Sequence, residues 1–206
     1  MSFFLTEGEV SDYRSSGFLL KESVFSDLVL AGFRSAAEQV ERETLELINE
    51  GAEHARKVQS YTLDGNRFAD IDFITVQFEH GVNNQSVRVI EPVNELSERF
   101  NALIDEPRLT QPMQQIVGAD DLALWTTKLN LKSAKEGSGF RWHQDSPYWI
   151  HTYFYNIQFF SLYIFQLKSD YNKLLNQYSI FPLYCHMHSS LSFTPLLALS
   201  TLFISL

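Results

Sequence analysis

Phe140-Arg141-Trp142-His143-Gln144-Asp145-Ser146-Pro147-Tyr148-Trp149 is the stretch on which the fold class turns. On a strand, the two-residue side-chain period sets His143 and Asp145 on one face and turns Gln144 to the other. An imidazole and a carboxylate then converge. They form two thirds of the 2-His-1-carboxylate set that holds non-heme Fe(II) while leaving coordination positions open. A lone His-x-Asp also arises by chance and in surface salt links, so the neighbouring sequence has to decide.

Upstream, Leu122 to Lys132 has the alternation of a strand. Ala123, Trp125, Thr127, Leu129 and Leu131 share one face; Leu122, Leu124, Thr126, Lys128, Asn130 and Lys132 share the other, which turns polar toward its end. This suits a barrel wall with one side packed on helices and the other lining a cavity. Lys135-Glu136-Gly137-Ser138-Gly139 then supplies turn chemistry before the His-x-Asp segment. Together, Asn130-Leu131-Lys132, Gly137 and Trp142-His143-Gln144-Asp145 resemble the phytanoyl-CoA dioxygenase family. Tyr13, Gly17-Phe18-Leu19-Leu20 and Phe25-Ser26 are similar to the way that family begins, so the resemblance covers about residues 10 to 149.

The resemblance implies an α+β fold, a double-stranded β-helix of jelly-roll or cupin-like form with N-terminal helices packed on one sheet. It implies Fe(II) as cofactor and 2-oxoglutarate as co-substrate. His143 and Asp145 would be the first two metal ligands, and Lys132 would contact a carboxylate of 2-oxoglutarate. The reaction would be C–H hydroxylation of a small molecule or acyl-CoA; related halogenating enzymes give up the carboxylate that Asp145 retains. The family also needs a distal histidine and, after it, an arginine for the far carboxylate of 2-oxoglutarate. No arginine follows Arg141, and His151, His186 and His188 lack the expected surroundings. The chain is therefore expected to be impaired as a catalyst. The alternative is a non-catalytic form that binds a partner through an open sheet edge, or a membrane.

Composition divides the chain at the same place. The 206 residues carry 16 basic and 25 acidic side chains, a formal charge of −9 that disfavours a nucleic-acid partner. Beyond Trp149 only Lys168, Asp170 and Lys173 are charged, Glu and Arg vanish, and all 9 glycines lie at or before Gly139. Residues 1–149 thus read as the N-terminal part of a dioxygenase-like domain, and 150–206 as an aberrant apolar tail outside it. Leu191 to Leu206 is 16 residues without charge, short of the roughly 20 a spanning helix needs and interrupted by Pro195, so a membrane role for the tail is not favoured. Read-through of sequence not selected to fold is the preferred account. Cys185-His186-Met187-His188 has soft-metal donors but is ascribed to chance in a biased segment.

A single cysteine, Cys185, suits a reducing compartment, and Phe3-Phe4-Leu5 ahead of Glu7 and Glu9 is too short and acidic for a targeting segment. An intracellular, cytoplasmic location is expected. Asn84-Gln85-Ser86 is then a chance glycosylation match.

The pattern further predicts a helical turn and strand-like Phe18-Leu19-Leu20 within residues 10–20. An amphipathic helix follows from an N-cap at Ser26, flanked by a Phe25–Leu30 staple, to a stop at Gly51. Residues 61–70 read as a polar loop, Ile71 to Glu79 and Val87 to Ile90 as strands, and Pro92 as the first turn of a helix carrying Leu96, Phe100 and Leu103. Pro107 would close that helix, and Thr110 would cap another that ends at Gly118. His54 and His80 read as ordinary loop or surface histidines.

Overall fold

A computed structural model describes residues 2–16, 19–50, 56–81, 83–131, 158–164 and 198–205. Four helices, α1 (Glu7–Ser16), α2 (Asp27–Glu50), α3 (Glu98–Asn101) and α4 (Pro107–Val117), accompany seven strands. The strands are β1 (Val58–Leu63), β2 (Asn66–Ile71), β3 (Ile74–Phe78), β4 (Val87–Glu91), β5 (Leu122–Asn130), β6 (Gln158–Ile164) and β7 (Ala198–Ser205). They form one sheet in the order β1-β2-β3-β4-β5-β7-β6. Pairing is antiparallel from β1 to β5 and parallel where β7 joins β5 and β6.

The long helix follows its sequence pattern. Phe33, Ala37, Val40, Thr44 and Ile48 are buried at helical spacing, while Glu38, Arg42, Glu43 and Glu46 are exposed. The Ser26 carbonyl accepts from Leu30 N at 3.0 Å, so the helix starts where the capping residue predicts. This stripe packs with Ala69, Ile71, Ile74, Val76, Phe78, Ile90 and Leu129 from one face of the sheet. Phe100 and Leu103 join from α3 and the turn after it, with the Phe33 and Phe100 rings stacked at 5.9 Å. Each large side chain fully buried here contributes about 1.5–3 kcal/mol.

Several segments differ from the sequence pattern for local reasons. Residues 61–70 form a β-hairpin, because Asp64 (φ 50) and Gly65 (φ 76) both take the left-handed region of a tight two-residue turn. Ile71 to Glu79 is broken rather than continuous: Asp72 (φ 56) begins a turn that returns Ile74 opposite Ile71 and leaves Phe73 exposed. Leu19 and Leu20 are not in a strand, and α1 extends over three turns. Pro92 lies in the loop after β4 rather than in a helix. Pro107 opens α4 instead of closing α3, and its N-cap is Glu106, not Thr110. Glu106 grips Arg108 through both carboxylate oxygens at 2.7 and 2.8 Å and accepts from Arg108 N at 3.2 Å, which outcompetes a hydroxyl four residues later. Gly118 ends the helix in the left-handed conformation, as its position predicts. Gly51, His54 and Phe18 lie outside the described residues.

One buried hydroxyl ties the loop to the sheet. Thr127 Oγ1, on the helix-facing side of β5, accepts from Val93 N at 3.0 Å and Asn94 N at 3.1 Å and donates to Asn94 Oδ1. The Thr127 carbonyl accepts from Val93 N as well, at 3.1 Å. Thr127→Val keeps shape but leaves Asn94 N and Oδ1 without this partner. It should cost about 2–3 kcal/mol, read as a lower urea midpoint at unchanged slope.

At the N-terminus, Thr6 and Glu9 form a capping box: Glu9 N donates to Thr6 Oγ1 at 3.2 Å, and Thr6 N donates to Glu9 Oε2 at 2.8 Å. Hydrogen bonding from Lys21, then from Thr6, lowers the Glu9 pKa from 4.5 to about 2. A carboxyl depressed in the folded state supports structure above its unfolded value and loses that support as pH falls through its folded value. The first turn of α1 should therefore hold at pH 4.5 and fray as pH approaches 2. A carboxyl-carbon NMR titration of Glu9 checks this, with Glu9→Gln abolishing the pH dependence.

Candidate functional site on the polar sheet face

The face of the sheet turned away from α2 carries the polar half of each strand. Register makes it a grid. Gln59 stands opposite Asp70, Asp70 opposite Thr75, and Thr75 opposite Glu91. The Val89–Asn130 and Ile90–Leu129 pairs carry the row on from Glu91 to Lys128. The neighbouring row runs Tyr61, Phe68, Gln77, Val89 and Asn130. Alternation puts these residues together: the intervening Ala69, Ile71, Val76, Ile90 and Leu129 are buried on the side of α2, while Val89 is the buried member of the outer rows.

Two polar contacts organise the first row. Asp70 Oδ1 accepts from Thr75 Oγ1 at 3.0 Å and, more loosely, from Tyr61 OH at 3.4 Å. Three strands away, Lys128 Nζ meets Glu91 Oε2 at 2.9 Å, both side chains about a quarter exposed. The Tyr61 and Phe68 rings stack at 5.4 Å with planes 9° apart. Partial burial, then the Asp70 charge and its hydrogen bond, push the Tyr61 phenol above its ordinary value of 10.0.

A second polar group sits at the β3–β4 end of the sheet. Arg67 lies 3.9 Å over the Phe78 ring and bonds Gln85, and Arg88 contacts exposed His80. Burial lowers the Arg88 pKa, and the Glu79 charge opposes that shift. The group sets two guanidiniums, Arg67 and Arg88, against the single carboxylate of Glu79 and reads as support for the turn. His80 is thus a surface histidine.

His143, Asp145 and Lys132 lie outside the described residues, as do Cys185, His186 and His188. The described part of the chain ahead of them ends with β5 and Leu131. On β5, Thr127, Leu129 and Leu131 are buried and Thr126, Lys128 and Asn130 are half-buried, so the two-faced reading of this strand holds. Among the described residues no group of three or more His, Cys, Asp or Glu could hold a metal ion. No described helix is long and apolar enough to cross a membrane. Sequence reasoning missed Tyr61, Phe68, Asp70, Thr75 and Glu91, because the first three fell in the stretch read as loop. Asp64-Gly65 between alternating residues was the signal that could have exposed them.

The sequence profile described as Phytanoyl-CoA dioxygenase (PhyH) matches residues 13–164, most of the chain. The chain belongs to the phytanoyl-CoA dioxygenase family. It is 30% identical over 145 residues to the ectoine dioxygenase of Bordetella parapertussis, covering 70% of this chain and 38% of that protein. To the ectoine dioxygenase of Bordetella bronchiseptica it is 29% identical over the same length and shares. The chain therefore spans well under half the length of these relatives. Phytanoyl-CoA dioxygenase membership implies a cupin-like fold and, in general, dependence on Fe(II) and 2-oxoglutarate. The match begins at Tyr13 and runs beyond Trp149, where the composition changes.

Asp70→Asn keeps an oxygen acceptor and removes the charge. The Tyr61 titration midpoint should fall toward 10 without reaching it, because burial remains. Ultraviolet titration against a Tyr61→Phe control measures it; an unmoved midpoint would show that the carboxylate does not act on the phenol.

Proposed function

We propose that this chain derives from an Fe(II)- and 2-oxoglutarate-dependent oxygenase that hydroxylates a C–H bond of a small molecule or acyl-CoA, on a double-stranded β-helix of jelly-roll form. The observation that carries this reading is the family match across a segment that contains Trp142-His143-Gln144-Asp145. An imidazole and a carboxylate two residues apart are the donor types that suit Fe(II), and His143 and Asp145 would hold it. Lys132 would neutralise a carboxylate of 2-oxoglutarate. Bound iron with 2-oxoglutarate would supply the oxidising chemistry; the protein's part is to orient the substrate and exclude water. Ectoine, the compound in the relatives' names, is the first substrate to try.

The chain itself is proposed to be a poor catalyst. No arginine follows Arg141 to clamp the far carboxylate of 2-oxoglutarate, and the three later histidines stand in sequence unlike the family's. The domain boundary near Trp149 belongs to the same proposal. Its supports are the loss of Gly, Glu and Arg and the parallel pairing of β6 and β7, where a jelly roll is antiparallel. The same absence favours a second reading, a non-catalytic form that acts by binding.

Anaerobic Fe(II) titration of the 206-residue chain should show weak binding that falls about 10–100-fold in His143→Ala and Asp145→Ala. Succinate should not form from 2-oxoglutarate with or without ectoine. Metal binding indifferent to both substitutions would remove the iron site. Succinate production that disappears in His143→Ala would overturn the impairment.

A further inference from the structure

Asp70 is fixed on one side only: its Oδ1 takes the Thr75 and Tyr61 hydroxyls, and among the described residues its Oδ2 has no partner. The cation of its row, Lys128, stands three strands away and is already paired with Glu91. At about 4.8 Å per strand that is roughly 14 Å, beyond a Debye length at physiological salt. The row therefore carries two carboxylates and one ammonium, and the surplus charge sits at Asp70. Beside it, two positions along β2, Phe68 stacks on Tyr61. The rise of a strand puts that aromatic pair about 6–7 Å from Asp70. A carboxylate with a free oxygen next to an aromatic pair can hold a compact organic cation by charge and by the ring quadrupole at once.

We propose that this face binds a small organic cation of the quaternary ammonium or amidinium class, with Asp70 as counter-ion and the Phe68–Tyr61 pair as its apolar wall. Thr75 is a positioning residue that keeps Asp70 Oδ2 turned outward. As a substrate-recognition site the proposal rests on the oxygenase reading above; as a binding site it does not. An anionic acyl-CoA is disfavoured at this face by the same charge that selects a cation.

The test is a binding comparison between choline and its uncharged isostere 3,3-dimethylbutan-1-ol, by calorimetry or ligand-observed NMR, on the whole chain in buffer containing EDTA. Choline should bind at least about tenfold tighter than the alcohol. Asp70→Asn should erase that preference while keeping the oxygen that Thr75 uses. Phe68→Leu should weaken choline several-fold with the carboxylate intact, and it serves if Asp70→Asn fails to fold. Glu46→Gln, on the outer side of α2, should change nothing. Equal affinity for the two probes, a preference that survives in Asp70→Asn, or choline binding unchanged in Phe68→Leu, would overturn the proposal. Because no metal is present, this outcome is independent of whether His143 and Asp145 hold iron.

Discussion

The buried hydroxyl of Thr127 is the contact on which the arrangement of this sheet depends. β4 ends at Glu91, the chain then leaves for α3 and α4, and it returns as β5 more than thirty residues later. Main-chain pairing between β4 and β5 covers a short stretch, Val89–Asn130 and Ile90–Leu129, so it fixes the register weakly. Thr127 adds a connection that tolerates no slip, since one oxygen must serve two successive amides, Val93 and Asn94. A shift of one residue would turn the hydroxyl to the opposite face and bury Lys128 in its place.

That constraint also organises the other face. With Thr127 inward, Lys128 points outward and meets Glu91 across the strand pair. The ion pair is partly exposed, and its energetic value is small. Its consequence is positional: it consumes the ammonium at the β4–β5 end and leaves the β2 end of the row to Asp70. Charge on this face is thus segregated by register. The helix-facing side, in contrast, holds the apolar residues of β2 to β5 with little charge, and α2 covers it.

How much of this could be read in the chain follows from which interactions are local. The α2 stripe, the Gly118 stop and the two faces of β5 depend on periodicity and on single-residue backbone preference, and these were legible. The hairpin at Asp64-Gly65 is masked in the sequence because its strands are polar on one side, and only the turn dipeptide marks it. Asp72 was misread for the opposite reason: apolar residues on both sides suggested continuity, and only a left-handed φ at Asp72 breaks it. Glu106 displaced Thr110 as the cap through a bidentate grip on Arg108 that no propensity encodes. His143 and Asp145 lie outside the described residues. Asp70, Thr75 and Tyr61 are not legible in the sequence, because their association exists only once three strands are in register.

A metal site needs ligands held to within fractions of an ångström, and such precision comes from rigid neighbouring elements. β5 is held on its inner side by Thr127 and on its outer side by Lys128, and Leu131 N still donates to the Arg88 carbonyl at 2.8 Å where the described segment ends. The buried Thr127 contact opposes both rotation and sliding of the strand, and the exposed ion pair adds little to it. Lys132 and then His143 follow it in the sequence. The apolar core under α2 thereby bears on the register of the strand that leads, in sequence, into the motif.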